Sequence, residues 1–263
     1  MRKPSHFLHV RFIFKYTRLW LGLLSFGALA VNNAGAESTF DERSRAEMLA
    51  KFADSEKQLT AEIQKAPESV SLYSSRGDAR LFLGRSADAV ADYERMIAID
   101  PAEDAPHWRL GIAYYFAGEF AKSARQFAKY HAYDGRDREN GIWKFLAQAR
   151  AESVEKARAN MLVYEHFDRE PFPALYEMLA GARTGAEVFA EIERKGLSRN
   201  RSVMFFANYY VGLNESLLGD QKAALDHLRR AVDGGWTGES EPEYMWQVSR
   251  LQYEALAKSS SAP

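Results

Sequence analysis

The sequence predicts an all-α fold, a solenoid of helix-turn-helix units that a C-terminal helix caps. A pair of glycines and a proline recur at an interval of 34 residues, with Gly77, Gly84 and Pro67 returning as Gly111, Gly118 and Pro101. Between these markers, apolar residues follow the three- and four-residue spacing of one helix face. A fixed interval of this length is typical of helical hairpins that bury a continuous core only when neighbours stack.

The first predicted helix spans 46–65, with Phe52 and Ile63 on its apolar face. It should end just before Pro67, because a proline disfavours helical geometry in the residue that precedes it. The residues before this helix, 37–45, are polar and are expected to be frayed. We interpret the helix as the second half of an incomplete leading unit.

The first full unit, 70–103, follows the tetratricopeptide-repeat (TPR) pattern. In that pattern two positions carry small residues, here Gly77 and Ala89, so that the two helices can approach closely. The close approach explains why a glycine occurs inside a helix, although glycine destabilises a helix by about 1 kcal/mol relative to alanine. Gly84 supplies the turn between the helices, and Tyr93 is expected to fill the gap to the neighbouring hairpin.

The second unit, 104–137, keeps the pattern more closely than the first. The register then weakens over 138–204, where no glycine pair occurs and Pro171 and Pro173 impose a break. We expect TPR-like hairpins that have lost the signature. The helices expected there lie at 142–149, 154–166, 175–180 and 186–195.

A clear unit returns at 205–234, where Gly212 and Gly219 repeat the seven-residue spacing of the earlier glycine pairs. A helix at 244–257 should cover the exposed end of the stack, as the terminal elements of solenoids do. The tail, 258–263, is Ser-rich and is expected to be disordered.

The first 36 residues predict export from the cytoplasm. They contain five basic residues and no acidic one, then an apolar run at 19–31 and the tripeptide Ala34-Gly35-Ala36. This order of charge, apolar run and small-residue cleavage site is typical of a secretory signal peptide. The apolar run is shorter than the roughly 20 residues that cross a bilayer as a helix. We therefore expect cleavage after Ala36 and a periplasmic or secreted protein, with an uncleaved signal anchor as the alternative.

Cleavage would also change the charge of the protein. The chain has 35 basic and 36 acidic residues, and losing five basic ones leaves 30 and 36, a net charge near −6. A mildly acidic domain has no general attraction for nucleic acid or anionic membranes. Cysteine is absent, which excludes disulfides, thiolate metal sites, a cysteine nucleophile and a lipid on an N-terminal cysteine.

The sequence predicts no catalytic, cofactor or metal site. The histidines beyond the signal segment lack a second ligand at helical spacing: His107, His131, His166 and His227. Ser153 and Lys156 fit the S-x-x-K motif of acylating enzymes, but the companion motifs S-D-N and K-T-G are missing and the pair falls in a predicted helix.

Two further segments are interpreted as having no catalytic or phosphate-binding role. Glu165, Asp168 and Glu170 lack the positioned partner that acid/base catalysis needs, so we interpret them as a solvated helix end. The glycine-rich segment 234–238 follows a helix rather than a strand and has no G-K-[ST], which argues against a phosphate-binding loop.

Aromatic residues on the first helix of each unit predict a protein-binding groove, because in TPR stacks this helix lines the concave surface. The predicted binding residues are Ser74, Asp78, Trp108, Ile112, Tyr115, Phe206, Tyr209 and Leu213. Such a groove suits an extended peptide or a partner helix, and Tyr and Trp are frequent interface anchors. Phe82, Phe116 and Leu217 occupy inner positions too, and we interpret them as core between repeats.

Over most of 45–257 the chain resembles the NlpI family of bacterial envelope lipoproteins. The segments that carry the resemblance are 108–118, 142–148 and 208–220. The resemblance implies an all-helical, usually dimeric periplasmic adaptor that presents cell-wall hydrolases to a tail-specific protease. The lipid-bearing cysteine of that family is missing here, so a lipid anchor in the outer membrane is not expected.

Together these features predict a periplasmic adaptor that binds a protein or extended peptide, without nucleic acid, lipid anchor or cofactor. Two alternatives stay open. One is an envelope hydrolase that uses Ser153 and Lys156. The other is a self-associating scaffold or homodimer whose contact surface lies in the section 138–204.

Overall fold

The computed structural model describes residues 42–233 and 243–260, and this part of the chain is all-helical, which confirms the predicted fold class. The helices are α1 (Glu42–Lys65), α2 (Val70–Phe82), α3 (Ser86–Ile99), α4 (Trp108–Phe116), α5 (Phe120–Tyr133), α6 (Arg138–Ala151), α7 (Val154–Ala159), α8 (Phe172–Ala180), α9 (Gly185–Arg194), α10 (Arg201–Leu218), α11 (Gln221–Asp233) and α12 (Glu243–Ser260). A short 3-10 helix, Pro101–Glu103, precedes α4. Consecutive helices pack in pairs along a solenoid.

Several sequence predictions lie outside the described residues. They concern the signal segment 1–36, the first part of the polar stretch 37–45, the glycine-rich segment 234–238 and the last part of the tail 258–263. The described parts of that stretch and of that tail, 42–45 and 258–260, belong to helices α1 and α12 instead of being frayed or disordered. Among the described helices, none combines the length and the apolar character that crossing a bilayer requires.

Three hairpins coincide with the predicted repeats: α2 with α3, α4 with α5, and α10 with α11. Each turns at a glycine with positive φ, which is +77° at Gly84, +78° at Gly118 and +91° at Gly219. Residues with a side chain rarely adopt this left-handed conformation, whereas glycine adopts it without a steric penalty. The glycines therefore set the helix ends, as the repeat pattern predicts.

The other glycine of the first pair makes room for a ring. A Cβ on Gly77 would collide with the ring of Tyr93 in the same hairpin. That ring also lies 4.7 Å, centroid to centroid, from His107 at the start of the next hairpin. Tyr93 therefore fills the gap between hairpins as predicted, but it also covers Gly77 within its own hairpin, a contact that the sequence assigned to Ala89.

The middle section contains one helix that is much shorter than predicted. The spacing predicted a helix at 154–166, but α7 ends at Ala159, and Asn160 caps it by donating from its side-chain amide to the carbonyl oxygen of Lys156 (2.8 Å). The chain then runs as a loop from 160 to 171. Tyr176 holds this loop by donating its hydroxyl to the carbonyl oxygen of Leu162 (2.7 Å). The apolar residues after Ala159, whose spacing also fits a helix, therefore lie in a loop.

Helix α12 packs on α11, the end of the stack, as expected of a capping helix. It also returns to the first helices, where it contacts α2. Six consecutive residues of its first half, 245–250, are buried. Burial on all sides shows that this helix lies between other elements rather than on the outside.

One apolar core cluster extends from α2 to α12. A smaller cluster, Ile63, Tyr73 and Met96, lies where α1 packs on α2 and α3. In the same region the carboxylate of Asp92, almost fully buried, accepts hydrogen bonds from Arg76 (2.6 Å) and Arg80 (2.8 Å) of α2. Arg80 also donates to Glu56 of α1 (3.0 Å), so the leading helix is attached by both apolar packing and an ion pair to this network.

Candidate protein-binding groove

The predicted groove residues lie on α2, α4 and α10, but most of them are not on an open surface. Ser74, Asp78 and Trp108 are half-buried. The other five are buried: Ile112, Tyr115, Phe206, Tyr209 and Leu213. Their side chains belong to the main apolar core in this conformation, so a partner has no direct access to them.

The first half of the predicted groove is covered by the start of α12. The ring of Tyr244 lies 4.9 Å from the ring of Phe82 and 4.9 Å from that of Trp108. The guanidinium of Arg109 lies 5.2 Å from the centroid of the same tyrosine ring. A helix of the chain itself thus occupies the surface that the sequence assigned to a partner.

Beneath Tyr244, Asp78 forms a polar link between the first two hairpins. Its carboxylate accepts a hydrogen bond from the Tyr93 hydroxyl (2.6 Å) and an ion-paired one from Arg109 (2.7 Å). Burial raises the pKa of Asp78, while Arg109 and the Tyr93 hydroxyl act in the opposite sense. Asp78 therefore positions neighbouring helices and is already paired.

Arg250 attaches α12 to the end of α2. Its side chain is 1% exposed, and burial lowers its pKa. Its guanidinium donates to the carbonyl oxygen of Phe82 (2.6 Å), to Gln247 Oε1 (3.0 Å) and to Glu254 (3.0 Å). A buried charge with this many acceptors is well compensated, so removing it would leave several buried polar atoms without partners.

Helix α12 also joins the two ends of the described chain. Arg45 of α1 makes a two-point ion pair with Glu254, with distances of 2.7 and 2.9 Å. Nearby, the amide of Gln247 lies 3.2 Å from the sulfur of Met48. Contacts between the first and last helices restrain the curvature of the solenoid.

The late half of the predicted groove is filled by an aromatic cluster around Trp143. The indole of Trp143 lies 5.4 Å from the ring of Tyr115 and 6.4 Å from the rings of Tyr209 and Tyr210. Phe127 stacks on it at 6.0 Å. Because α4, α5, α6 and α10 all contribute rings, this cluster is the junction between the early repeats and the late one.

Glu139 is a buried acid at the edge of this cluster. It accepts hydrogen bonds from the Tyr210 hydroxyl (2.5 Å) and from Arg169 (2.7 Å). Burial raises its pKa to about 8, the nearby carboxylate of Asp137 adds to the rise, and Arg169 opposes it. Burial at this position therefore favours the protonated form of Glu139 more than water does.

An open cleft of about 740 Å³ remains beside the second half of α12. Its apolar lining includes Leu81, Phe116, Leu251 and Tyr253. Its charged residues are Glu42, Arg45, Glu254 and Lys258. None of the eight predicted groove residues lines this cleft, so it is a different surface from the one that the sequence predicted.

The S-x-x-K pair has a structural role. The Ser153 hydroxyl caps α7 by accepting from the backbone N–H of Lys156 (3.2 Å), while the ammonium of Lys156 lies 3.4 Å from Glu152. The lysine is therefore directed to a carboxylate and not to the serine hydroxyl. This geometry gives the hydrolase alternative no support.

The acidic cluster was predicted as a solvated helix end, and that interpretation is wrong because its residues lie in the loop 160–171. Asp168 accepts from the backbone N–H of Arg138 (2.8 Å) at the start of α6, and Glu170 pairs with Lys195 (2.6 Å). Within the described ranges, no group of His, Asp or Glu side chains is arranged to hold a metal ion.

The sequence analysis missed Arg109, Tyr244 and Arg250, which seat α12. No local pattern marks them, since each acts through a contact with a distant helix. Neither a protein-family model nor a curated protein matches the chain.

Proposed function

We propose that the chain is an exported TPR-type adaptor that holds partner proteins in the open cleft beside α12. Export and the periplasmic location rest on the signal-like segment 1–36. The adaptor role rests on a solenoid with a preformed cleft. The finer role, presenting cell-wall hydrolases to a protease, extends from the resemblance to the NlpI family.

The observation that carries the proposal is the open cleft of about 740 Å³, which apolar and charged residues line together. Sites of this size with a few convergent polar groups commonly bind ligands. The apolar lining residues suit one or two apolar side chains of a partner. Since α12, the last described helix, is attached to α1 by the ion pair of Glu254 with Arg45, the cleft is held in shape before a partner arrives.

The proposal is tested by blocking the cleft. Ala255 lines it and is exposed, so Ala255→Trp should fill the cleft without disturbing the core. A matched control is Ala61→Trp on the exposed side of α1, 16 residues beyond the cleft residue Arg45 along that helix, or roughly 24 Å.

The experiment is crosslinking of the exported protein in the cell envelope, with a photoreactive side chain at Ser86 of the cleft and mass spectrometry of the products. We expect defined partners to be captured by the parent and by Ala61→Trp. Ala255→Trp should lose them at least about tenfold. Equal capture by both tryptophan variants would show that the partners do not bind in the cleft.

A further inference from the structure

A buried histidine, His107, caps the start of α4. The residue is 6% exposed, and its Nδ1 accepts a hydrogen bond from the backbone N–H of Leu110 (3.1 Å). A histidine nitrogen accepts a hydrogen bond only when it carries no proton. The cap therefore requires the neutral ring, which places its single proton on Nε2.

The protonated ring does not fit this site. The Nε2 atom is buried and has no hydrogen-bond partner within the part of the chain that the structure describes. Protonation of Nδ1 would add a second donor, and this donor would face the backbone N–H of Leu110 at the distance of the present hydrogen bond. A buried cation in such surroundings is strongly destabilised. The ring must therefore leave its site when it becomes charged.

The charged and titratable groups around the ring belong to four helices and the turn before α4, and they are Asp78, Tyr93, Arg109, Lys129 and Asp104. Burial and the positive charge of Arg109 lower the pKa of His107 to about 4, while Asp104 acts in the opposite sense. Both carboxylates already have partners, since Asp104 pairs with Lys129 (2.7 Å) and Asp78 with Arg109 (2.7 Å). Neither is therefore free to compensate a charged ring.

The cap fixes two residues that hold the start of α12. Trp108 and Arg109 form the beginning of α4, directly after His107. The ring of Trp108 lies 4.9 Å from the ring of Tyr244, and the guanidinium of Arg109 lies 5.2 Å from the same ring. Loss of the cap leaves N–H groups of the first turn without an acceptor, which favours opening of that turn. The contacts with Tyr244 would be lost with it.

We propose that His107 is an acid-sensitive switch, whose protonation opens the first turn of α4 and releases the start of α12 from Trp108 and Phe82. The opening is a property of the chain alone. Because α12 also lines the open cleft, acid should weaken the binding of partners there. This last consequence rests on the proposed function, whereas the opening itself does not.

The size of the effect follows from the titration of one ring. A pKa that is lowered in the folded state stabilises that state at neutral pH, and this contribution is lost as the pH falls from about 6.5 towards 4. In the opened state the ring regains its ordinary pKa. Its titration should therefore raise the equilibrium constant for opening about 20-fold between pH 7 and pH 5. Burial raises the pKa of Asp78, so that group acts in the opposite sense, and the contribution of His107 has to be measured against a variant that does not titrate.

The test compares the parent with His107→Asn by hydrogen exchange of the purified protein, without a partner, at pH 7 and pH 5. The amide oxygen of asparagine accepts the N–H of a helix start and has no proton to gain in this range. Exchange rates are divided by those of an unstructured peptide, which removes the intrinsic effect of pH. From pH 7 to pH 5, the amides of α4 and of the start of α12 should lose about 20-fold more protection in the parent than in the variant.

Two comparisons separate this switch from a general effect of acid. His166→Asn, at an exposed position of the loop 160–171, should behave as the parent does. The amides of α9, which packs on α8 and α10, should show the same pH dependence in the parent and in His107→Asn. The same pH dependence of α4 in both proteins, an equal difference in α9, or a loss of the effect in His166→Asn would overturn the switch. Since no partner is present, these outcomes leave the test of the cleft untouched.

Discussion

Arg250→Met tests whether α12 is fixed in place mainly by one buried arginine. Methionine keeps much of the length and apolar volume of the side chain but removes its charge and its donors. The carbonyl oxygen of Phe82 and the amide oxygen of Gln247 would then lose their hydrogen bonds, which measure 2.6 and 3.0 Å. Glu254 would keep its ion pair with Arg45.

The expected loss follows from the two buried acceptors. Each costs about 1–3 kcal/mol when left unpaired. Methionine recovers part of this, because the arginine no longer has to be desolvated. We therefore expect the free energy of unfolding to fall by about 3 kcal/mol, a large share of the roughly 5–15 kcal/mol of a typical domain. The melting temperature should fall by about 6–12 °C.

The assay combines urea unfolding with hydrogen exchange of the amides of α12. The variant should remain folded, while the amides of 243–260 exchange faster because that helix opens more often. The matched control is Arg229→Met, whose side chain is 57% exposed and 3.8 Å from Asp233. This control should change the free energy of unfolding by less than about 0.5 kcal/mol.

A loss below about 1 kcal/mol, or unchanged exchange in α12, would refute the reasoning. The first result would mean that the carbonyl of Phe82 finds another partner when Arg250 is gone. The second would mean that aromatic packing alone holds the helix.

Three more predictions concern buried positions. Because the pKa of Glu139 is raised in the folded state, the free energy of unfolding should decline as the pH rises from about 4.5 to 8. Urea titrations across this range should show this decline, on the order of 3 kcal/mol, in the parent and not in Glu139→Gln. Parallel profiles of the two proteins would contradict the prediction. Gly111→Ala would place a Cβ 2.7 Å from the buried ring of Phe127. Calorimetry should therefore show that the free energy of unfolding falls by about 2 kcal/mol, although alanine has the better helix propensity. An unchanged free energy would mean that the ring can shift. Asp92→Ala would leave Arg76 and Arg80, both partly buried, without their shared carboxylate and should cost about 3 kcal/mol in urea unfolding. The control Asp88→Ala, whose side chain is 49% exposed, should cost less than about 0.5 kcal/mol, and equal effects would show that the network around Asp92 adds nothing.

The hairpins could be predicted from the sequence because their determinants are local. A turn such as that at Gly84 needs a residue that tolerates positive φ, and the close approach of α2 and α3 needs the small residue Gly77. Both requirements fall on single positions and recur at a fixed spacing. The end of α7 was missed because the capping side chain of Asn160 and the tertiary anchors of the loop outweigh an apolar pattern that also fits a helix.

The groove was predicted only in part, because its determinants are contacts with distant helices and not local sequence features. Position within a repeat identifies which residues face inward, and Trp108 and Ile112 do lie where the next layer packs. It does not identify what covers them. Whether such residues form an open surface or a core depends on the last helix, which no repeat position specifies.

Spacing and residue type along the chain were thus sufficient for the all-helical solenoid, its turns and its inward-facing residues. The folded chain alone decided that α12 covers the early half of the inner face while the cluster around Trp143 fills the late half. It also decided that a cleft remains beside α12 and that Val163 and Phe167 are exposed in the loop 160–171. The contact between Arg250 and Phe82 spans 168 residues, and that between Arg45 and Glu254 spans 209. Contacts at such separations depend on the packing of every helix in between, and a periodic pattern carries no information about them.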